Sequence, residues 1–251
     1  MPRVHRDTLK ALGHPGVRLL LCSSVLLSCS PEGPDEATEA EQAPLSACAT
    51  PVAQTNAPRS VMDVVAILNT MPKPVTLACF VESLARPLSL HAATSVLSAQ
   101  PATGSRSPRM FLFSDPLIMT VVPEGSGSHL LEFGELRSTT RSLKAELEFP
   151  ITREILPQEP FERVMFDETL TTCAFCHAYE ERDASIDFTQ AYVSQALKPR
   201  QGLSVDLETV RLEYQHCDRA SEPERCALFD AVFSWGEVVW REFPEGMGTF
   251  P

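Results

Sequence analysis

Between Val75 and about Pro150, apolar and polar positions alternate in short runs: "VTLACFVESL", "PLSLHAATSVL", "RMFLFSD", "PLIMTVVP", "SHLLEFGEL" and "SLKAELEFP". Pro, Gly, Ser and Asp separate the runs, at Arg86-Pro87, Pro101 to Pro108, Asp115-Pro116 and Glu124 to Gly127. This texture predicts about six strands in an antiparallel sheet folded into a small sandwich. No helix-length pattern fits between the runs, so parallel βαβ units are disfavoured. Ahead of them, Ser60 reads as an N-cap for a short helix with Val61, Val64, Val65 and Leu68 on one face, stopping before Met71-Pro72. After Pro160 the pattern turns helical. Asp187 with Gln190 has the form of a capping box opening "FTQAYVSQALK"; Leu207, Val210 and Tyr214 recur at helical spacing; and a second capping box, Ser221-Glu222-Pro223-Glu224, with Pro early in the first turn, precedes "RCALFDAVFSWGEVVWREF". The expected fold class is α+β: an antiparallel β-sandwich-like domain over 59–160, then a mostly α-helical segment over 161–251.

The first 58 residues have another character. A basic stretch with Arg3, Arg6, Lys10 and Arg18 runs into the apolar Leu19 to Ser28, which is too short to span a bilayer. It ends in Leu26-Leu27-Ser28-Cys29, which resembles a bacterial lipobox. The resemblance implies a signal peptide over 1–28, cleavage before Cys29, and acyl chains on that cysteine that hold the chain to a lipid membrane by about 0.8 kcal/mol per buried CH₂. Ser30 rather than Asp follows, which by resemblance to enterobacterial sorting implies an outer-membrane lipoprotein facing the periplasm or the cell surface. Residues 29–58, rich in Pro, Ala, Ser, Thr and Glu and without aromatics, read as a disordered tether.

Formal charge is −12, and loss of the leader, with four basic residues and one acid, makes it −15. Such a chain is unsuited to nucleic acid and suits a basic redox partner protein. Apart from Cys22 and Cys29, six cysteines remain, an even number that suggests disulfides in an exported chain. Cys48 with Cys79 could tie the tether to the domain. Cys217 with Cys226, across the hydrophilic "DRASEPER", could staple two helices.

The remaining pair sits in Cys173-Ala-Phe-Cys176-His177. Two thiols about one helical turn apart, followed by His, are what thioether links to two vinyl groups and a proximal iron ligand require. The segment resembles the c-type cytochrome attachment motif. That resemblance implies covalent heme c, with Cys173 and Cys176 as the links and His177 as proximal ligand. Met247, seventy residues on in "GMGTFP", resembles an axial methionine, and His216 is an alternative sixth ligand. Phe161, Phe166, Phe175, Phe188, Tyr192, Phe229, Phe233 and Trp235 are expected to wall the pocket. A redox dithiol, a zinc site of Cys173, Cys176, Cys217 and Cys226, and purely structural disulfides stay open as alternatives. His91 and His129 read as surface or hydrogen-bonded residues. Arg106 and Arg109 read as an edge-strand loop, with ligand contact a lesser option. Neither a phosphate loop nor a nucleophile elbow occurs. The expected role is an electron carrier, sensor or binding protein rather than an enzyme; the alternative is a haem-free, disulfide-stapled envelope lipoprotein.

Overall fold

A computed structural model describes residues 46–94 and 98–250. The expected leader, Cys29 and the first part of the expected tether lie outside the described residues. Helix α1 (Val61–Thr70) begins at Ser60, whose hydroxyl accepts from Asp63 N while Asp63 Oδ2 accepts from Ser60 N, a reciprocal cap. Its Val61, Val64, Val65 and Leu68 stripe is buried.

Five strands follow the expected runs: β1 (Leu88–Ala93), β2 (Arg109–Ser114), β3 (Leu117–Val121), β4 (Leu130–Ser138) and β5 (Arg141–Glu148). The first run is different. "VTLACFVESL" forms helix α2 (Leu77–Glu82), capped by the Thr76 hydroxyl, and every residue of it is buried. A segment buried on all sides shows no amphipathic period, so its apolar run reads as a strand.

The region after residue 160 corrects the expectation of a mostly helical segment. Helices α3 (Glu159–Glu162), α4 (Leu207–Gln215) and α5 (Pro223–Phe233) do form. The stretch expected as a capped helix instead gives β7 (Tyr192–Gln195) and β8 (Leu197–Lys198), preceded by β6 (Glu181–Arg182). Two further strands, β9 (Val238–Trp240) and β10 (Gly248–Thr249), come near the end. The physical reason lies in β5, whose free edge takes β7 in antiparallel register, Leu143 opposite Val193. Ladder bonds and the Val193 side chain outweigh helix propensity there. The second expected capping box is also absent: Glu222 is the N-cap of α5, and Ser221 Oγ donates to Asp218 instead, at 2.7 Å.

Eight strands form one sheet in the order β6-β7-β5-β4-β3-β2-β1-β9, antiparallel throughout except for β1 with β9. It is not a sandwich. One face carries Leu90, Leu112, Met119, Leu131 and Leu143, and packs into the main core with Leu68 of α1, Phe80 of α2 and Phe229 of α5. Helices thus supply the layer that a second sheet would have supplied. Each such leucine is worth about 1.5–3 kcal/mol of burial.

The opposite face is chemically mixed. Directly paired residues share a face, which places Phe113, Ile118, Gly134 and Lys144 in one row and Phe111, Thr120, Glu132 and Glu146 in the next. Phe111, Phe113 and Ile118 join Ala196, Phe243 and Met247 in a second, smaller apolar cluster.

Disulfides Cys48–Cys79 and Cys217–Cys226 are both formed. The first brings the expected end of the tether onto α2, where Ser46 Oγ and Ala47 N both donate to Glu82, at 2.6 and 2.7 Å. The second takes two of the four zinc-site thiols into a bond with each other, which removes that site. Among the described residues no helix is long and apolar enough to cross a membrane.

Candidate functional site

The mixed face of the sheet is the floor of an open cleft of about 210 Å³. Three segments lie over it: the Cys173–His177 loop and the stretches 196–203 and 243–250. Cys173, Cys176, His177 and Met247 all line this cleft.

The loop is held by backbone and by one carboxylate. Thr171, fully buried, caps a single 3₁₀ turn over Thr172–Phe175. Cys176 N donates to Cys173 O at 3.1 Å and His177 N donates to the same oxygen at 2.8 Å. This one turn therefore carries both thiols and the imidazole within five residues, and all three line the cleft. Glu180 closes the loop at its base: Thr171 N donates to Oε1 at 2.8 Å and the Thr171 hydroxyl donates to Oε2. Arg141 fastens the far end through the Tyr179 carbonyl and, at 2.6 Å, the Glu181 carboxylate.

His177 owes its orientation to the edge of β7. Gln195 N donates to Ala178 O at 3.0 Å, and Gln195 O lies 2.8 Å from His177 Nδ1. A carbonyl only accepts, so Nδ1 carries the proton and Nε2 holds a free lone pair. No hydrogen bond to Nε2 occurs among the described residues. Burial, with the nearby Lys144 ammonium, pushes the His177 pKa down to about 3, and the ring stays neutral.

The thiols are not bonded to each other; Cys176 is exposed and Cys173 half-buried. Burial pushes the Cys173 thiol up to about 11, against a weaker opposing pull from Lys144. It is a poor thiolate at neutral pH, which disfavours the redox-dithiol alternative.

Met247 reaches the cleft through two glycines. Gly246 takes φ +81 in the turn before it, and a Cβ on Gly248 would press on Leu197 Cδ2 at 3.0 Å, so a bare residue lets β10 lie along β8 without moving that side chain. Met247 is 5% exposed, packed with Phe111, Phe243 and Ala196.

Other expected site residues lie elsewhere. His216 is exposed at the end of α4, bonded to its own helix at Leu212 O. None of the eight expected aromatic walls lines the cleft. Phe161 and Phe229 belong to the main core, while Phe166 and Phe175 are 61% and 66% exposed, packed edge to face on the loop's outer side. Phe111, Ile118, Phe243 and Phe250 line it instead. His91 is buried and hydrogen-bonded to Arg241 O and Ser204 Oγ.

Sequence reasoning missed the floor. Lys144 is 7% exposed, with Nζ 3.3 Å from Gln195 O and 3.4 Å from His177 Nδ1. Arg109, expected in an edge-strand loop with ligand contact the lesser option, instead starts the interior strand β2 and lines the cleft, where it pairs with Glu132 and donates to Thr120 Oγ1 at 3.0 Å. At the centre, Gly134 leaves backbone bare to the cleft, where an added Cβ would find Ser142 Oγ at 3.8 Å and no clash. No protein family, characterised protein or solved structure compared with this chain matches it.

Proposed function

We propose that this chain is an exported, lipid-anchored protein that carries one covalent c-type haem in the cleft and works in single-electron transfer or haem-based sensing. One observation carries the reading: a neutral histidine with its Nδ1–H fixed on a backbone carbonyl and its Nε2 free stands beside two unbonded cysteines one turn away. This is the usual preparation of a metal-binding imidazole, whose second nitrogen is held by an outer acceptor. The donor set fits the group. Cys173 and Cys176 supply the thioether sulfurs, His177 Nε2 the proximal nitrogen, and Met247 a soft thioether on the same cleft. When bound, haem supplies a one-electron iron couple. Gln195 O strengthens His177 as a donor, Glu180 holds the loop that presents the sulfurs, and Phe111, Ile118 and Phe243 give the cleft apolar walls.

The lipobox at Cys29 supports membrane anchoring in the outer envelope, and the acidic composition supports a basic redox partner rather than nucleic acid. A haem-free binding module is the second reading. It is favoured by the two disulfides, which staple the fold whatever the cleft contains. The two readings separate by spectroscopy. Protein from a host with cytochrome c maturation should give a c-type pyridine haemochrome, and Cys173→Ala with Cys176→Ala should remove it. A colourless wild type from that host leaves the haem-free module.

A further inference from the structure

Lys144 is a buried cation without an acid. It stands on β5 in the middle of the cleft floor, 7% exposed, between Gly134 and Tyr192 in its row. An ammonium carries three donors. Gln195 O takes one, at a long 3.3 Å, and the 3.4 Å contact to His177 Nδ1 is no acceptor, because that nitrogen's proton is on Gln195 O. The acids nearby are engaged elsewhere: Glu132 with Arg109, Glu146 with Arg163, Glu180 with Thr171. Among the described residues Lys144 has no ion pair. Beside it, Ser142 is 1% exposed, lines the same cleft, and its Oγ has no hydrogen-bond partner. Buried charges are ordinarily paired and buried hydroxyls bonded.

We infer that the cleft floor binds a carboxylate on an apolar body, with the Lys144 ammonium as anchor and the Ser142 hydroxyl as second donor. The charge follows from the neighbours: Glu132 and Glu146 lie in the next row of the same face and repel a second negative charge. The apolar body follows from Phe111 and Ile118 on the floor and Phe243 and Met247 over it, which cluster together and line the same cleft. Gly134 gives the carboxylate room, since no side chain rises between Lys144 and Ile118. The inference does not depend on haem attachment. Two sources share the chemistry, a free apolar acid and the carboxylates of a haem held in the same cleft.

The test is calorimetric titration of the full mature chain with hexanoate, with hexanol and inorganic phosphate as controls. Chain made without haem maturation should bind hexanoate one to one, and neither control should bind there. Lys144→Met should weaken hexanoate roughly ten- to hundredfold, the worth of a hydrogen bond to a charged group, and Ser142→Ala by a smaller factor. Lys144→Gln serves if the Met variant fails to melt cooperatively. The haem-loaded chain separates the sources. Hexanoate binding that persists there assigns the site to a free acid. Binding lost on loading, with hexanoate still bound by the haem-free chain, assigns it to the haem's own carboxylates. Absence of saturable binding to the folded haem-free wild type, or equal affinity in a folded Lys144 variant, overturns the inference.

Discussion

Glu180 is expected to control access to Cys173, and thiol labelling of the haem-free chain can measure it. Its carboxylate accepts both the N–H and the hydroxyl of fully buried Thr171, and so ties the base of the Cys173–His177 loop. Glu180→Ala leaves both donors without an acceptor. Each unsatisfied buried group costs about 1–3 kcal/mol; because Glu180 is itself partly exposed and water replaces part of the loss, about 2–3 kcal/mol in total is expected. That favours loop opening by about thirty- to a hundred-and-fifty-fold. The starting rate is low: burial raises the Cys173 thiol from an ordinary 9.0 to about 11, which cuts its thiolate fraction at neutral pH by about a hundredfold. Removing Glu180 also removes a nearby negative charge that opposes the thiolate. Iodoacetamide labelling without reductant, followed by peptide mass spectrometry, should label exposed Cys176 first and Cys173 slowly in the wild type. In Glu180→Ala, Cys173 should speed up at least tenfold, while Glu180→Gln, which keeps an acceptor, should change less. Equal labelling of the two cysteines in the wild type, or an unchanged Cys173 rate in Glu180→Ala, would refute this account of the loop.

Three further outcomes are expected. Cys217→Ser with Cys226→Ser should lower stability by about 2.6 kcal/mol and loss of Cys48–Cys79 by about 3.7 kcal/mol, from loops of 9 and 31 residues in the chain-entropy relation, read from denaturant unfolding; alkylatable thiols at these positions in the unreduced protein would contradict both bonds. His91 and His177 are held neutral by burial, so the unfolded chain binds protons first as pH falls below 6.5; stability should decline from there toward pH 4.5, and His177→Gln should flatten that slope. An unchanged slope in that variant would place the His177 ring in water. Cys29→Ala should free the protein from membranes or leave it uncleaved, and identical partitioning and identical N-termini in wild type and variant would rule out the anchor.

What could be read from the chain followed from the strength of each local signal. Ser60 with its valine stripe announces α1 because cap and periodicity agree, and β1 to β5 announce themselves by alternation between turn residues. Helix α2 and strand β7 do not, for opposite reasons. The first is buried all round and lacks a period, while the second has a helical signature that the free edge of β5 overrides. At the site, Cys173, Cys176, His177 and Met247 stand out by residue type and spacing. Their supports are silent: Gln195 acts through its backbone, and Lys144 occupies the polar phase of an alternating strand, which reads as solvent-facing. Only the loop laid across it makes that lysine a buried one. The exposed Phe166–Phe175 pair shows the converse, since aromatic content alone does not say which ring meets the cleft.

The most direct test of the central proposal is denaturing electrophoresis with haem staining on protein from a maturation-competent host. Thioether bonds to Cys173 and Cys176 survive conditions that strip haem held only by ligation and packing. The account predicts a haem-positive band at the mass of the chain, lost in Cys173→Ala with Cys176→Ala and impaired in His177→Ala. A band without haem in the wild type, from a host that loads a control c-type cytochrome in parallel, would contradict it.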